Sequence, residues 1–190
     1  MASIPTSTGQ GGLQPHRAQL QELIGSMCVT QLLYVVAKLQ IADQLTEGPK
    51  RFDELAATVA VDPTALYRVL RALASRGIFA ETGDCHFALT PHAELLREDV
   101  PGSLRAWAMM QGEESRWKPW GALLECVQTG ETVFNRVFGM GWWEYLAAHP
   151  DAAETFNRMS ASNTEGRATP IVEAYDFSAA TTVIALVQFQ

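Results

Sequence analysis

Between Arg17 and Leu45 the apolar positions Leu20, Leu23, Ile24, Met27, Cys28, Leu32, Val35, Val36 and Leu39 recur at helical spacing. They cover more than one face of the predicted helix, so it is expected to be enclosed from several sides. In a chain of 190 residues that enclosure is expected to come from a second subunit. Gly48-Pro49 breaks the pattern, and a series of short elements follows. Phe52-Asp53-Glu54-Leu55 starts a short helix with Asp53 at its N-cap. Asp62-Pro63 opens a second, with Asp62 as cap and Pro63 in the first helical position. Leu66, Val69, Leu70 and Leu73 lie on one face of that helix, and Gly77 fits its end. Residues 78–82 and 85–90 flank Gly83-Asp84 as a β-hairpin. Helix, turn, helix and two-stranded wing predict a winged helix.

Further along, Thr90-Pro91 opens another helix, and Pro101-Gly102 precedes one from Ser103 to Gln111 that carries Leu104, Trp107, Ala108 and Met110. Ala122 to Val127 is helical and closes at Thr129-Gly130. Residues 130–146 are rich in aromatics and glycine. The last predicted helix, Asp151 to Tyr175, sets Ala152, Phe156, Met159 and Asn163 on one side. Thr181 to Phe189 is apolar, β-branched and uncharged, the pattern of a buried strand whose sheet lies outside this sequence. Residues 1–17, rich in Ser, Thr, Gly and Pro at their start, are expected to be a disordered tail.

Charge and chemistry narrow the reading. A net charge of −7, from 14 basic and 21 acidic residues, disfavours a nucleic-acid binder, whose affinity comes mainly from neutralising phosphates. Arg68, Arg71 and Ser75 share the face of the second winged-helix helix that a DNA reader would use. The wing, with Glu81 and Asp84, opposes that use. Cys28, Cys85 and Cys126 are widely spaced and suit free thiols in a reducing cytoplasm. His16, His86, His92 and His149 fall in different elements, so no metal site is expected. The adjacent Glu113 and Glu114 read as a first-turn charge pair rather than an acid–base couple. No signal peptide is recognisable and no run is expected to approach a membrane span. With 47% hydrophobic and only 18% charged residues, part of the apolar surface is expected to meet another subunit or a ligand.

Several motifs then carry a resemblance. Trp120-Gly-Ala-Leu-Leu, Thr129-Gly-Glu-Thr-Val-Phe134, Gly141-Trp-Trp-Glu-Tyr-Leu146, the run from His149 to Met159, and Tyr175-Asp-Phe-Ser178 occur in the order seen in the S-adenosylmethionine-dependent O-methyltransferases of phenolics, hydroxyindoles and polyketides. Phe52-Asp-Glu-Leu-Ala, the run from Leu66 to Leu73, Gly77-Ile-Phe79 and Leu89-Thr-Pro91 resemble that family's dimerisation winged helix. The resemblance implies a mainly α fold: a helical dimerisation domain with an embedded winged helix over 18–98, a helical substrate-lid and linker region over 99–174, and the start of a Rossmann-like methyltransferase domain over 175–190. Where the family carries an acid and glycines after its first strand, this sequence has Ala185, Val187, Gln188 and Phe189. The resemblance therefore places cofactor-binding and catalytic residues beyond residue 190, and assigns none within the chain.

The same resemblance makes Trp107, Met110, Phe156, Met159 and Asn163 candidate substrate-lining residues, with packing against a partner subunit as the alternative. The function expected is the dimerisation and substrate-side portion of a methyltransferase acting on a small aromatic hydroxyl compound. S-adenosylmethionine is the family's cofactor, with no binding expected by this chain alone. The expected partner is a second copy or a full-length relative, with neither nucleic acid nor membrane. The alternatives are a non-catalytic dimerisation or ligand-binding module, and a winged-helix DNA-binding regulator.

Overall fold

The computed structural model describes residues 13–176 together with 178 and 182. All but residue 182 of the expected strand 181–189, and most of the expected tail 1–17, lie outside the described residues. Among those described the fold is mainly helical, with one small three-stranded sheet.

Helix α1, Gln14–Lys38, starts three residues ahead of Arg17, with Pro15 in its first turn, where a missing N–H costs nothing. It stops short of Leu45. Gln40 takes a left-handed conformation (φ 56°) and turns the chain into α2, Ile41–Gln44. α1 is buried at its C-terminal end, where Val36 and Ala37 enter the core. Its N-terminal half is bare: Leu20, Leu23, Ile24 and Met27, spaced i, i+3, i+4 and i+7, are 56–71% exposed. The several-sided enclosure expected from the sequence is therefore not supplied by the described residues. At 25 residues and ~1.5 Å per residue, α1 is also long and apolar enough to cross a bilayer. The expectation that no run approaches that length does not hold for this helix.

The winged helix follows. β1, Lys50–Arg51, leads into α3, Phe52–Thr58. The cap of α3 is Arg51, two residues earlier than the expected Asp53. The Glu54 carboxylate accepts the Arg51 backbone N–H at 3.4 Å, while Asp53 accepts that of Glu54 within the first turn at 3.1 Å. Asp62 caps α4, Pro63–Ala74, as expected, accepting the Ala65 N–H at 2.7 Å. Gly77 ends that turn at φ 72°, a conformation only glycine adopts without strain. β2, Phe79–Thr82, and β3, His86–Leu89, are antiparallel, and β1 adds to the far side of β3 in the order β1-β3-β2. Two residues are too few to show as a strand in the sequence pattern, so β1 was not expected. Leu66, Leu70 and Leu73 project from α4 onto Phe79, Phe87 and Leu55, all essentially without solvent contact.

α5, Pro91–Glu94, is capped by the Thr90 hydroxyl. α6, Arg105–Gly112, begins two residues later than expected. The Ser103 hydroxyl is held outside the helix, donating to the Arg97 carbonyl at 2.5 Å and accepting the Arg105 N–H at 3.2 Å. Short helices α7 (Glu114–Gly121), α8 (Leu123–Thr129), α9 (Val133–Phe138) and α10 (Trp142–Ala148) form a compact aromatic group. α11, Pro150–Ala174, returns along α6, so that α6 lies between α1 and α11.

Candidate functional site

α6 is the helix around which the possible binding surfaces are arranged, because each of its sides meets a different neighbour. On one side Arg105, Ala106 and Met109 face α11 across a polar cavity of about 280 Å³ that also takes in Glu98, Arg158 and Ser162. Arg105 is only 6% exposed. Its Nε donates to the Ala37 carbonyl at 3.1 Å, and its guanidinium pairs with Glu98. Glu98 also receives Arg158 of α11, and its backbone N–H donates to Asp43 of α2 at 2.9 Å. The Glu98 carboxylate thus joins the start of α6 to the middle of α11, and Arg105 carries the link on to the end of α1.

On another side Trp107 lines an apolar hollow of about 540 Å³ with Thr30, Leu33, Leu95, Trp117 and Trp120. This hollow lies along α1, the helix whose N-terminal stripe is bare.

A third hollow, about 390 Å³, opens among α7, α8 and α9. Ser115 and Arg116 contribute its polar lining, with Trp120, Leu123 and Phe134 among its apolar walls. Ser115 is 2% exposed and its hydroxyl has no hydrogen-bond partner. Arg116 is half-buried, and its Nε is likewise without an acceptor. Pro119 has no N–H to donate to the Ser115 carbonyl four residues back, so one rung of the α7 ladder is missing beside this hollow.

The five residues singled out from the sequence occupy three settings. Trp107 is exposed in the apolar hollow beside α1. Met110 is buried, and its sulfur accepts an N–H of Arg116 at 3.7 Å. The Arg116 guanidinium stacks over Trp142 at 4.9 Å, and Trp142 meets Phe156 edge-on at 5.7 Å. Met110 and Phe156 are therefore joined through Arg116 and Trp142 into one sulfur–cation–aromatic layer, from which Trp107 is separate. Met159 is buried on α11. Asn163 lies on α11, with its side chain outside the described residues. Arg116 and Ser115, which hold the polar end of the third hollow, were passed over in the sequence, where they stand behind the more conspicuous Glu113-Glu114. The available signal was the cluster Trp117-Lys-Pro-Trp120 beside an arginine.

Glu113 sits in the N-cap position of α7 and is half-buried. Burial pushes its carboxyl up, while the Thr155 hydroxyl and the Lys38 charge pull it down. Tyr145, packed among Phe134, Phe138 and His149, has its phenol pushed up chiefly by burial. No three His, Cys, Asp or Glu side chains converge as a metal site among the described residues.

On the winged helix, Arg71 pairs with Glu81 at 3.3 Å and lies 5.8 Å over the Tyr67 ring. Tyr67 donates to Glu81 at 3.1 Å and accepts from the Cys85 thiol at 3.6 Å. The Cys85 contact, burial and the Glu81 contact raise the Tyr67 phenol to about 12. Of the two cations on the would-be reading helix, Arg71 is engaged by the wing and Arg68 is exposed.

Among the described residues, none of the three strands leads through a glycine-rich turn into a helix.

Residues 21–99 match the O-methyltransferase dimerisation domain family. A phenazine O-methyltransferase of Lysobacter antibioticus is 45% identical over 179 residues, which are 94% of this chain and 52% of that protein. Among solved structures, LaPhzM superposes with a TM-score of 0.82 at 45% identity, over 86% of this chain and 49% of that one. A methyltransferase of calicheamicin biosynthesis, solved with S-adenosylhomocysteine bound, superposes with a TM-score of 0.75 at 27% identity, over 90% of this chain and 50% of that one. The chain spans about half the length of the relatives it matches.

Proposed function

The chain belongs to the O-methyltransferase family through its dimerisation domain, and on that premise we propose that it is the dimerisation and substrate-side portion of an S-adenosylmethionine-dependent enzyme acting on a small aromatic hydroxyl compound. The observation that carries the reading is the bare stripe Leu20, Leu23, Ile24 and Met27, which leads along α1 towards the apolar hollow lined by Trp107. A regular i, i+3, i+4, i+7 stripe of large side chains in water is unfavourable, and burial against a second subunit relieves it. The same α1 contributes Thr30 and Leu33 to the apolar hollow with Trp107, Trp117 and Trp120, so dimerisation and substrate enclosure share one scaffold.

Three free thiols, Cys28, Cys85 and Cys126, fit work in a reducing cytoplasm. Nucleic acid has no part in this reading, since the net charge is −7 and Arg71 is paired with Glu81. An inserted α1 has no part in it either, because its C-terminal end belongs to the winged-helix core.

Residues 1–190 expressed alone are expected to be dimeric by light scattering and to show no calorimetric binding of S-adenosylmethionine. A monomer at about 50 μM overturns the dimerisation role. A micromolar dissociation constant for the cofactor overturns the assignment of this portion to the substrate side alone. Mixed dimers with a full-length relative are the further outcome to look for.

A further inference from the structure

We propose that the bare α1 stripe of one copy lies on a second bare face in its partner copy, formed by Trp120 with Leu123, Leu124 and Val127 of α8. The inference rests on the dimerisation reading above and deepens it. It names the surface that receives α1, and it extends the interface past the matched dimerisation domain, which ends at residue 99.

The α8 face is as bare as the stripe. Trp120, Leu124 and Val127 are 65–75% exposed, and Leu123 is exposed too. Leu123 and Leu124 stand four and three residues before Val127, so the three share one side of the helix. Glu125 falls on the other side, paired with Arg136 at 2.7 Å, which leaves the apolar side without charge.

Area links the two faces. A stable interface removes about 800 Å² from each partner, whereas Leu20, Leu23, Ile24 and Met27 expose only about 500 Å². Packing α1 on α1 of a second copy would therefore fall short and would leave the α8 face in water. Trp120, Leu123, Leu124 and Val127 expose about as much again, and the two faces together meet the requirement.

The faces are also continuous. Thr30, one turn beyond Met27, and Leu33 carry the α1 stripe into the hollow of about 540 Å³, whose walls include Trp117 and Trp120. Trp120 and Leu123 then line the next hollow together. Two-fold pairing sets each stripe on the other copy's α8, so every contact is made twice. The partner's α1 then closes the hollow beside Trp107. From Leu23 to Ala37 α1 carries no charged residue, as the desolvated centre of an interface requires.

The test uses the 190-residue chain with Ile24→Glu, Val127→Lys or Val127→Glu. Dimer dissociation is read by analytical ultracentrifugation and, for mixtures with one copy isotope-labelled, by native mass spectrometry. Each variant alone is expected to dissociate at least about tenfold more readily than the parent. A lysine at 127 lies in the last turn of α8, where a cation suits the helix end, so the loss of dimer is not a loss of helix. Mixed dimers show which faces meet. Ile24→Glu with Val127→Lys sets opposite charges across one contact, and Ile24→Glu with Val127→Glu sets like charges there. The other contact is native in both. The first mixture is expected to be at least about tenfold tighter than the second. Equal affinities of the two mixtures, or a Val127→Lys dimer as tight as the parent, would overturn the proposal while leaving the dimerisation role intact. A parent chain monomeric at about 50 μM would overturn both. Should either change at Val127 disturb the circular dichroism, Leu124→Lys and Leu124→Glu take its place, at a position almost as exposed.

Discussion

The ring of Tyr34 on α1 occupies the space that a side chain at Gly112, the last residue of α6, would need. A Cβ built on Gly112 would overlap Cγ, Cβ and Cδ2 of Tyr34. The first two are close to the backbone, so rotating the ring does not clear the space. This contact between α1 and α6 therefore depends on the absence of one carbon.

Gly112 is helical with ordinary backbone angles, so alanine there should gain slightly in helix propensity. Overpacking is expected to outweigh that gain. Gly112→Ala should destabilise the chain by about 1–3 kcal/mol, lowering Tm by roughly 2–4 °C per kcal/mol. Thermal melts of Gly112→Ala, Tyr34→Ala and the double variant check it. The double variant should be less destabilised than the sum of the singles, and simple additivity would show that the two residues do not interfere.

Glu98 draws Arg105 and Arg158 together and carries the backbone bond to Asp43. Removing its carboxylate leaves Arg105, nearly without solvent, with Asp43 at 4.0 Å as its remaining acidic neighbour. Since Glu98 itself is half exposed, Glu98→Ala is expected to cost about 1–3 kcal/mol, below the range for a fully buried pair. Arg158→Ala should cost less than about 1 kcal/mol, because that side chain stays in water. Urea unfolding of the two variants tests the order, and a larger loss for Arg158→Ala would refute it.

Burial is the first cause of the upward shift at Glu113. A carboxyl whose folded value lies above its unfolded value binds its proton more tightly in the folded chain. Its contribution to stability is fully present below the unfolded value, near 4.5, and is lost as pH rises through the folded one. Glu113→Gln keeps an oxygen to accept from Thr155 without the buried charge. It should be more stable than the parent at pH 7 and should flatten the decline in stability above pH 4.5. Denaturant midpoints between pH 4 and pH 8 measure this; a parallel pH profile in the variant would show that Glu113 has no part in it.

Ile24, at 71% exposure the barest of the α1 stripe, is the position to charge. Ile24→Glu should leave helical content intact and shift the dimer to monomer in light scattering. Leu70→Glu would instead unfold the chain, because Leu70 has no solvent contact in the core. A dimer that persists in Ile24→Glu would place the interface elsewhere.

Much of the fold was legible in the sequence because its signals are local. Asp62 before Pro63, the Leu66/Leu70/Leu73 face, Gly77 and the hairpin around Gly83-Asp84 each state their geometry within a few residues, and each appears as expected. The break at Gln40 was not legible, since left-handed glutamine carries no sequence mark, nor was β1, whose two residues become a strand only by pairing with β3.

The candidate site divides the same way. Periodicity established that α1 has too much apolar surface for one face, and that Trp107, Met110, Phe156 and Met159 sit on amphipathic helices. Only the tertiary structure decided which side of α1 remains bare, placed Trp107 apart from Met110 and Phe156, and brought Arg116 against Trp142 without a counter-charge. The reason is physical. Helical repeat and capping depend on residues a turn apart, whereas exposure and charge pairing depend on how α1, α6, α7 and α11 pack across long stretches of chain.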